Sequence, residues 1–238
     1  NAMGGLQVSA NDYAKWVAFL LSAWPARDDP DTGPVKRSTV REIAQGLNFV
    51  AVTNRIGSSG ATACKQAGAY GMGWRVAQDC DLGLTLAHGG GYPGYGSHVM
   101  LMPDHGVGVF ALANRTYAGP SAPAWDTAVA MDRAGLLEVR PVPVSPALAS
   151  MVAAARAAYA AGSLEPLSGK LAMNFLMDRS AENWAAEFAR LKAQVGECPA
   201  AELLAPRGAM STAFRLNCER GKLDGAVLLA PTTPATVQ

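Results

Sequence analysis

Residues 70–115 read YGMGWRVAQDCDLGLTLAHGGGYPGYGSHVMLMPDHGVGVFALANR, and this stretch decides the fold. Tyr70–Ala77 mixes aromatic and β-branched residues and reads as a strand. D-C-D-L-G (79–83) follows as a turn, and L-T-L-A-H-G-G-G (84–91) reads as the next strand. Two further apolar runs, S-H-V-M-L-M-P (97–103) and V-G-V-F-A-L-A-N-R (107–115), flank Pro103-Asp104-His105-Gly106. That tetrad suits a type I turn closed by a left-handed glycine, the connection that joins two antiparallel strands. The expectation for 70–115 is therefore an antiparallel meander.

Outward from it, the pattern becomes helical. Upstream, Tyr13, Trp16, Val17, Leu20, Leu21 and Trp24 recur at three and four residue spacing behind Ser9, a natural N-cap, so 9–24 is expected as an amphipathic helix. Pro25 and R-D-D-P-D-T-G-P (27–34) end it, a short helix is expected from Ser38 to Gln45, and 46–69 reads as mostly surface loop. Downstream, Pro123–Leu137 is expected as a helix whose Trp125, Val129, Met131 and Leu136 cover one sheet face. R-P-V-P-V-S-P (140–146) cannot continue a helix and is the linker candidate. Beyond it come expected helices to Ala161, at 171–177 and at 181–195, then two strands joined by E-R-G-K (219–222). The resulting division is a tag remnant at 1–3, a first domain at 4–140, a linker at 141–146 and a second domain at 147–238. The fold class is α+β, a meander covered by helices plus a small α+β unit.

The 238 residues are 50% hydrophobic and 16% charged, with twenty basic against nineteen acidic residues and a net charge of +1. A near-neutral balance offers no electrostatic footprint for nucleic acid or an anionic membrane, and no apolar run approaches the ~18 residues of a membrane span. The cysteines fall as two local pairs, Cys64 with Cys80 and Cys198 with Cys218. Both are disulfide candidates, which would place the protein in the periplasm or outside the cell; four reduced, part-buried thiols are the alternative. Neither pair has the C-x-x-C spacing of structural zinc.

The sharpest chemical feature is His88-Gly89-Gly90-Gly91-Tyr92-Pro93-Gly94-Tyr95-Gly96. Gly89–Gly94 spells G-x-G-x-x-G, but Pro93 lies inside it and a strand follows where a helix N-terminus should receive a pyrophosphate, so no dinucleotide cofactor is expected. As a lipase-type oxyanion loop, His88–Gly91 would need a G-x-S-x-G elbow, which the sequence lacks. His88, His98 and His105 lie within eighteen residues, but the turn should carry His105 away from the others and point it to solvent, so no metal site is expected. Structurally, the glycines could equally make a β-hairpin corner beside a satisfied histidine.

Five elements occur together: Gly4-Gly5-Leu6 before the first helix with Asp12-Tyr13-Ala14, Tyr70-Gly71-Met72-Gly73-Trp74, His88-Gly89-Gly90-Gly91 with Pro93-Gly94, Gly106-Val107-Gly108-Val109, and Ala113-Asn114-Arg115. In order and spacing they resemble the C-terminal part of serine β-lactamases and penicillin-binding proteins, over residues 4 to about 138. That family's active site has S-x-x-K, Y-x-N or S-x-N, and a strand-borne K-T-G or H-x-G. The resemblance implies that His88, Gly89 and Gly90 are the third motif. His88 would replace the lysine that holds the proton network and substrate carboxylate, and the Gly91 N–H would be an oxyanion donor. Catalytic roles are thus expected for His88, Gly90 and Gly91, and substrate contacts for Gly89, Tyr92 and Tyr95.

No serine has lysine three places on, and the second motif is read as absent. The expectation is a C-terminal fragment of a serine acyl-enzyme hydrolase that does not acylate alone; the alternative is a non-catalytic ligand-binding or assembly module on a vestigial hydrolase scaffold. No cofactor is expected. The partners expected are a small acyl substrate in the intact parent and a second copy docked through an unpaired sheet edge. The second domain weakly resembles the nuclear-transport-factor-like cone found as an accessory module.

Overall fold

The computed structural model describes residues 6–27, 29–60 and 63–238, the side chains at 205 and 207 excepted. The remnant at 1–3 and the Gly4-Gly5 pair lie outside the described residues. The chain divides into two compact units with the main break between Arg140 and Pro141, and the short stretch 26–28 groups with the second. Both are α+β, built on antiparallel sheets and, among the described residues, six α-helices in all.

The first unit opens with α1 (Ala10–Leu21) and α2 (Arg37–Ile43). Six strands follow: β1 (Asn48–Ile56), β2 (Ala63–Tyr70), β3 (Arg75–Asp79), β4 (Gly83–Tyr92), β5 (Tyr95–Met102) and β6 (Val107–Ala113), and then α3 (Ser121–Arg133). The strands pair antiparallel in sequence order, so 70–115 is the meander its turn chemistry indicates. At the β5–β6 turn the Gly106 N–H donates to the Pro103 carbonyl (3.1 Å) and Gly106 takes φ 66°, the left-handed conformation a Cβ would strain.

Two expectations change. Residues 46–69 are not loop, because β1 and β2 pair in a long hairpin. Their small and polar residues hide the signal, and pairing partners rather than alternation hold them. Tyr70–Ala77 is not one strand either. Its glycines break it: Gly71 donates its N–H to the Trp74 carbonyl (2.8 Å), Gly73 takes φ 83°, and β3 starts only at Arg75.

Strand alternation divides the core. Leu86, Val99 and Leu101 face α1, where Val17, Leu20 and Leu21 are buried against them, while Met100 and Met102 turn to the other face and pack with Ala128 of α3. Each such side chain contributes about 1.5–3 kcal/mol on burial. Ala124 and Ala128, not Val129 and Met131, are the buried residues of α3, and Leu136 is exposed because the helix ends at Arg133. Trp16 also remains exposed.

The turn end of the β3–β4 hairpin is locked electrostatically. Asp79 is buried; it accepts from Arg55 Nε (2.9 Å), Gln66 Nε2 (3.2 Å) and the N–H groups of Asp81 and Leu82 (3.0 Å each). The disulfide Cys64–Cys80 closes the same corner. Burial pushes the Asp79 carboxyl up, but the Arg55 and N–H hydrogen bonds outweigh it and hold the group below the usual carboxylate range.

The second unit runs α4 (Pro146–Ala161), a 3-10 turn at Glu165–Leu167, α5 (Phe175–Asp178) and α6 (Ala181–Val195). A sheet of β7 (Ala200–Gly208), β8 (Ser211–Cys218), β9 (Gly221–Ala230) and β10 (Thr236–Val237) follows, in spatial order β10-β9-β8-β7. Ser145 caps α4 by accepting from the Leu148 N–H, Pro146 occupies the first turn, and Gly162 ends the helix at φ 67°. Leu148, Val152, Tyr159 and Phe188 pack on Phe214, Leu216, Val227 and Leu229. Of the aromatics on α6, Phe188 is buried, while Trp184 is half-buried and stacks on Phe175. β7 escapes the sequence reading because Pro206 and two register shifts interrupt its ladder. Cys198 and Cys218 form the second disulfide.

Candidate active site

His88 sits midway along β4, at a change in that strand's surroundings. Residues Gly83–Ala87 all pair with Asp79–Arg75 of β3, and from Leu86 onward the strand also pairs with β5. Pairing with β3 ends at Arg75↔Ala87, since the glycine-containing turn at 71–74 takes the chain away. From His88 to Tyr92 only β5 remains as a partner, through His88↔Val99 to Tyr92↔Tyr95. Among the described strands, none pairs with His88–Tyr92 on the β3 side, so that edge offers backbone N–H and C=O groups to a ligand.

The register fixes where the side chains go. His88 lies opposite Val99, on the α1 face, in line with Leu84 and Leu86. It is exposed, and its Nε2 is 3.3 Å from the Tyr70 hydroxyl. Tyr70 was legible in the sequence only as strand and glycine neighbourhood; the contact with a residue eighteen places away depends on the register. Ser97 pairs with Gly90 on this same face, and a Cβ at Gly90 would stand 2.5 Å from the Ser97 Oγ.

The three glycines differ in what the fold asks of them. A Cβ on Gly89 would meet only ordinary contacts at 3.7 Å, whereas one on Gly91 would press on the Tyr117 ring at 2.5 Å. Tyr117 belongs to a strap over the hairpin tip: its N–H donates to the Tyr95 carbonyl (3.1 Å), and the Gly94 N–H donates to Thr116 Oγ1 (2.8 Å). Tyr117 takes φ 54°, an uncommon conformation for a bulky residue, to reach this position. Tyr92 and Tyr95 are both exposed at the tip, beside this strap.

The remaining histidines do not join His88. His98 is on the opposite face, with Met100 and Met102. Its pKa is lowered by burial first, then by the Arg75 and His88 charges, so it is neutral at neutral pH. His105 does not point to solvent as expected; it is half-buried and its Nδ1 is enclosed with no partner among the described residues. The second motif also needs a correction. Ser9-Ala10-Asn11 has S-x-N spacing, but Ser9 is the α1 N-cap, accepting from the Asp12 N–H (3.1 Å) and donating to the Asp12 carboxylate (2.8 Å). A helix-cap role accounts for that serine.

The sheet is antiparallel, with helices on both faces and the H-G-G-G strand bordering an open edge. The chain belongs to the beta-lactamase family, whose model matches residues 2–132. It is similar to a solved structure of the octameric penicillin-binding protein homologue from Pyrococcus abyssi, at 14% identity and a TM-score of 0.38, covering 94% of this chain and 38% of that one. The chain thus spans 38% of that relative's length. No curated protein matches it.

Proposed function

We infer that this chain supplies the acyl-recognising wall of a serine acyl-enzyme hydrolase, of the β-lactamase, D-amino-peptidase or esterase class. The observation that carries the reading is the open edge of β4 at His88–Tyr92. An extended acyl substrate adds to such an edge as a further strand, its main-chain groups bonding those of the protein. Gly89 leaves the approach free of a side chain at a position where packing would tolerate one. His88, steadied by the Tyr70 hydroxyl, holds the proton network and the substrate carboxylate. The Gly91 N–H is assigned to the charge developing on the attacked carbonyl, and Tyr92 and Tyr95 border the substrate.

With no S-x-x-K, the chain has no activated serine and forms no acyl-enzyme by itself. Intact-mass spectrometry after exposure to a chromogenic cephalosporin and to a serine-reactive phosphonate tests this. An unchanged mass without colour is expected; a stoichiometric adduct or phosphonate-sensitive turnover overturns it. The two disulfides support a periplasmic or secreted location. No described helix is long and apolar enough to cross a membrane. β1 and β6 are the outer strands of the six-stranded sheet, which supports pairing of two copies through an edge; a strictly monomeric light-scattering mass at high concentration contradicts that. In the second unit, helices followed by a four-stranded antiparallel sheet support an accessory-module reading.

A further inference from the structure

An open cleft of about 400 Å³ lies on the face of the sheet opposite His88, within the roughly 300–1,000 Å³ of small-molecule sites. Its floor is Ala77, Thr85 and Ala87 of β3 and β4, where small side chains leave the space that larger ones would fill. Gln66, Arg75 and His98 rise from the sheet, and Ser121, Trp125 and Asp126 descend from α3. None of these lining residues belongs to the open β4 edge.

Two lining side chains, Arg75 and Asp126, are an exposed cation and an exposed anion without a protein partner among the described residues. The Arg75 guanidinium has no hydrogen bond or ion pair among the described residues, whereas Arg37, Arg55, Arg190 and Arg215 all close on carboxylates. Asp126 likewise has no ion-pair partner among the described residues, Arg75 included, although both line the same cavity. The other polar groups are already engaged or neutral: the Gln66 amide donates to Asp79 (3.2 Å), the Thr85 hydroxyl donates to the Ala77 carbonyl (3.3 Å), and burial keeps His98 uncharged. Trp125 supplies a flat apolar wall; the Arg55 guanidinium holds its ring at 5.3 Å from the centroid.

We propose that this cavity binds a small zwitterion, an α-amino acid with an apolar side chain, its carboxylate on Arg75, its ammonium on Asp126 and its side chain against Trp125 and the alanine floor. A lone cation and a lone anion that do not reach each other are complementary to a ligand carrying both charges. A simple carboxylate would engage only Arg75 and an amine only Asp126, so each would make one charge-assisted contact where a zwitterion makes two. A phosphate dianion would meet the Asp126 charge directly.

The probe is phenylalanine, titrated into the whole chain while the Trp125 indole and His98 ring signals are followed by NMR. Saturable shifts of both are expected, with 3-phenylpropionate and phenethylamine each binding about threefold more weakly, because each lacks one contact to an exposed charge. Arg75→Met and Asp126→Asn should each weaken phenylalanine about threefold. Both positions are exposed, so thermal melts of the two variants should match the parent. Asp126→Asn should also remove most of the preference for phenylalanine over 3-phenylpropionate. His88→Ala should leave phenylalanine binding unchanged, which separates this site from the open edge. The proposal is overturned if tens of millimolar phenylalanine produces no saturable shift, if Arg75→Met binds as well as the parent, or if His88→Ala abolishes the response.

Discussion

The two halves of β4 lie on one strand and differ in whether β3 runs beside them, while β5 pairs with the strand from Leu86 to Tyr92. Gly83–Ala87 has β3 along its second edge, a buried Asp79 network at its start and a disulfide behind that network. His88–Tyr92 has an open second edge, exposed side chains and three consecutive glycines. The closed half holds the sheet together and the open half is free to hold something else. A strand can serve both purposes only where a neighbour stops, and here Gly71 and Gly73 stop it.

The largest effect should come from breaking the closed half. Asp79→Ala leaves Gln66 and two N–H groups without their acceptor and Arg55 with only Asp81 and the Ile56 carbonyl, and is expected to cost about 2–4 kcal/mol by chemical denaturation. The Asp79 carboxyl is depressed in the fold, so its stabilisation is complete above the ordinary carboxylate pKa of about 4 and fades as pH falls through the lower folded value. The stability gap between the parent and Asp79→Asn should therefore narrow at acid pH; a gap that widens there contradicts the sign.

Next in size is the strap over the hairpin tip. A Cβ at Gly96 would collide with the Ala118 carbonyl, backbone that cannot swing aside, and Gly96→Ala should cost about 1–3 kcal/mol. Gly89→Ala, seven residues away in the open half, should stay within about 0.5 kcal/mol. Equal melting temperatures for the two variants would erase the contrast between glycines kept for packing and a glycine kept for approach.

A smaller effect is expected from His98. Its pKa is lowered in the fold, so protonation favours the unfolded chain, and stability should fall as pH drops below about 6.5 toward the folded value. His98→Gln should flatten that part of the pH profile. His88→Ala, an exposed residue with one side-chain hydrogen bond, should change stability least, within about 0.5 kcal/mol.

Much of this was legible in the sequence, for reasons that differ by residue. The β5–β6 turn was readable because Pro103, Asp104 and Gly106 each suit one turn position. His88–Gly91 stood out because three consecutive glycines are rare in a strand, and the family follows from motifs that keep their order. What the sequence could not display was register. The hairpin of β1 and β2 is tied to the end of β3 by Arg55–Asp79 and Cys64–Cys80, contacts 24 and 16 residues apart, which no alternation reveals. Tyr70 beside His88, and Arg75 with His98 on the opposite face, likewise appear only once the strands are aligned. Ser9-Ala10-Asn11 illustrates the reverse case, a three-letter spacing whose serine is occupied as a helix cap.

The central claim is that the open half of β4 recognises an acyl group while the chain lacks the means to be acylated. Amide-resolved NMR during titration with a β-lactam tests it most directly. The predicted result is saturable shifts confined to His88–Tyr92 and the Tyr70 neighbourhood, abolished in His88→Ala, and fully reversed on dilution. Shifts centred elsewhere, or the same shifts in His88→Ala, would contradict the account.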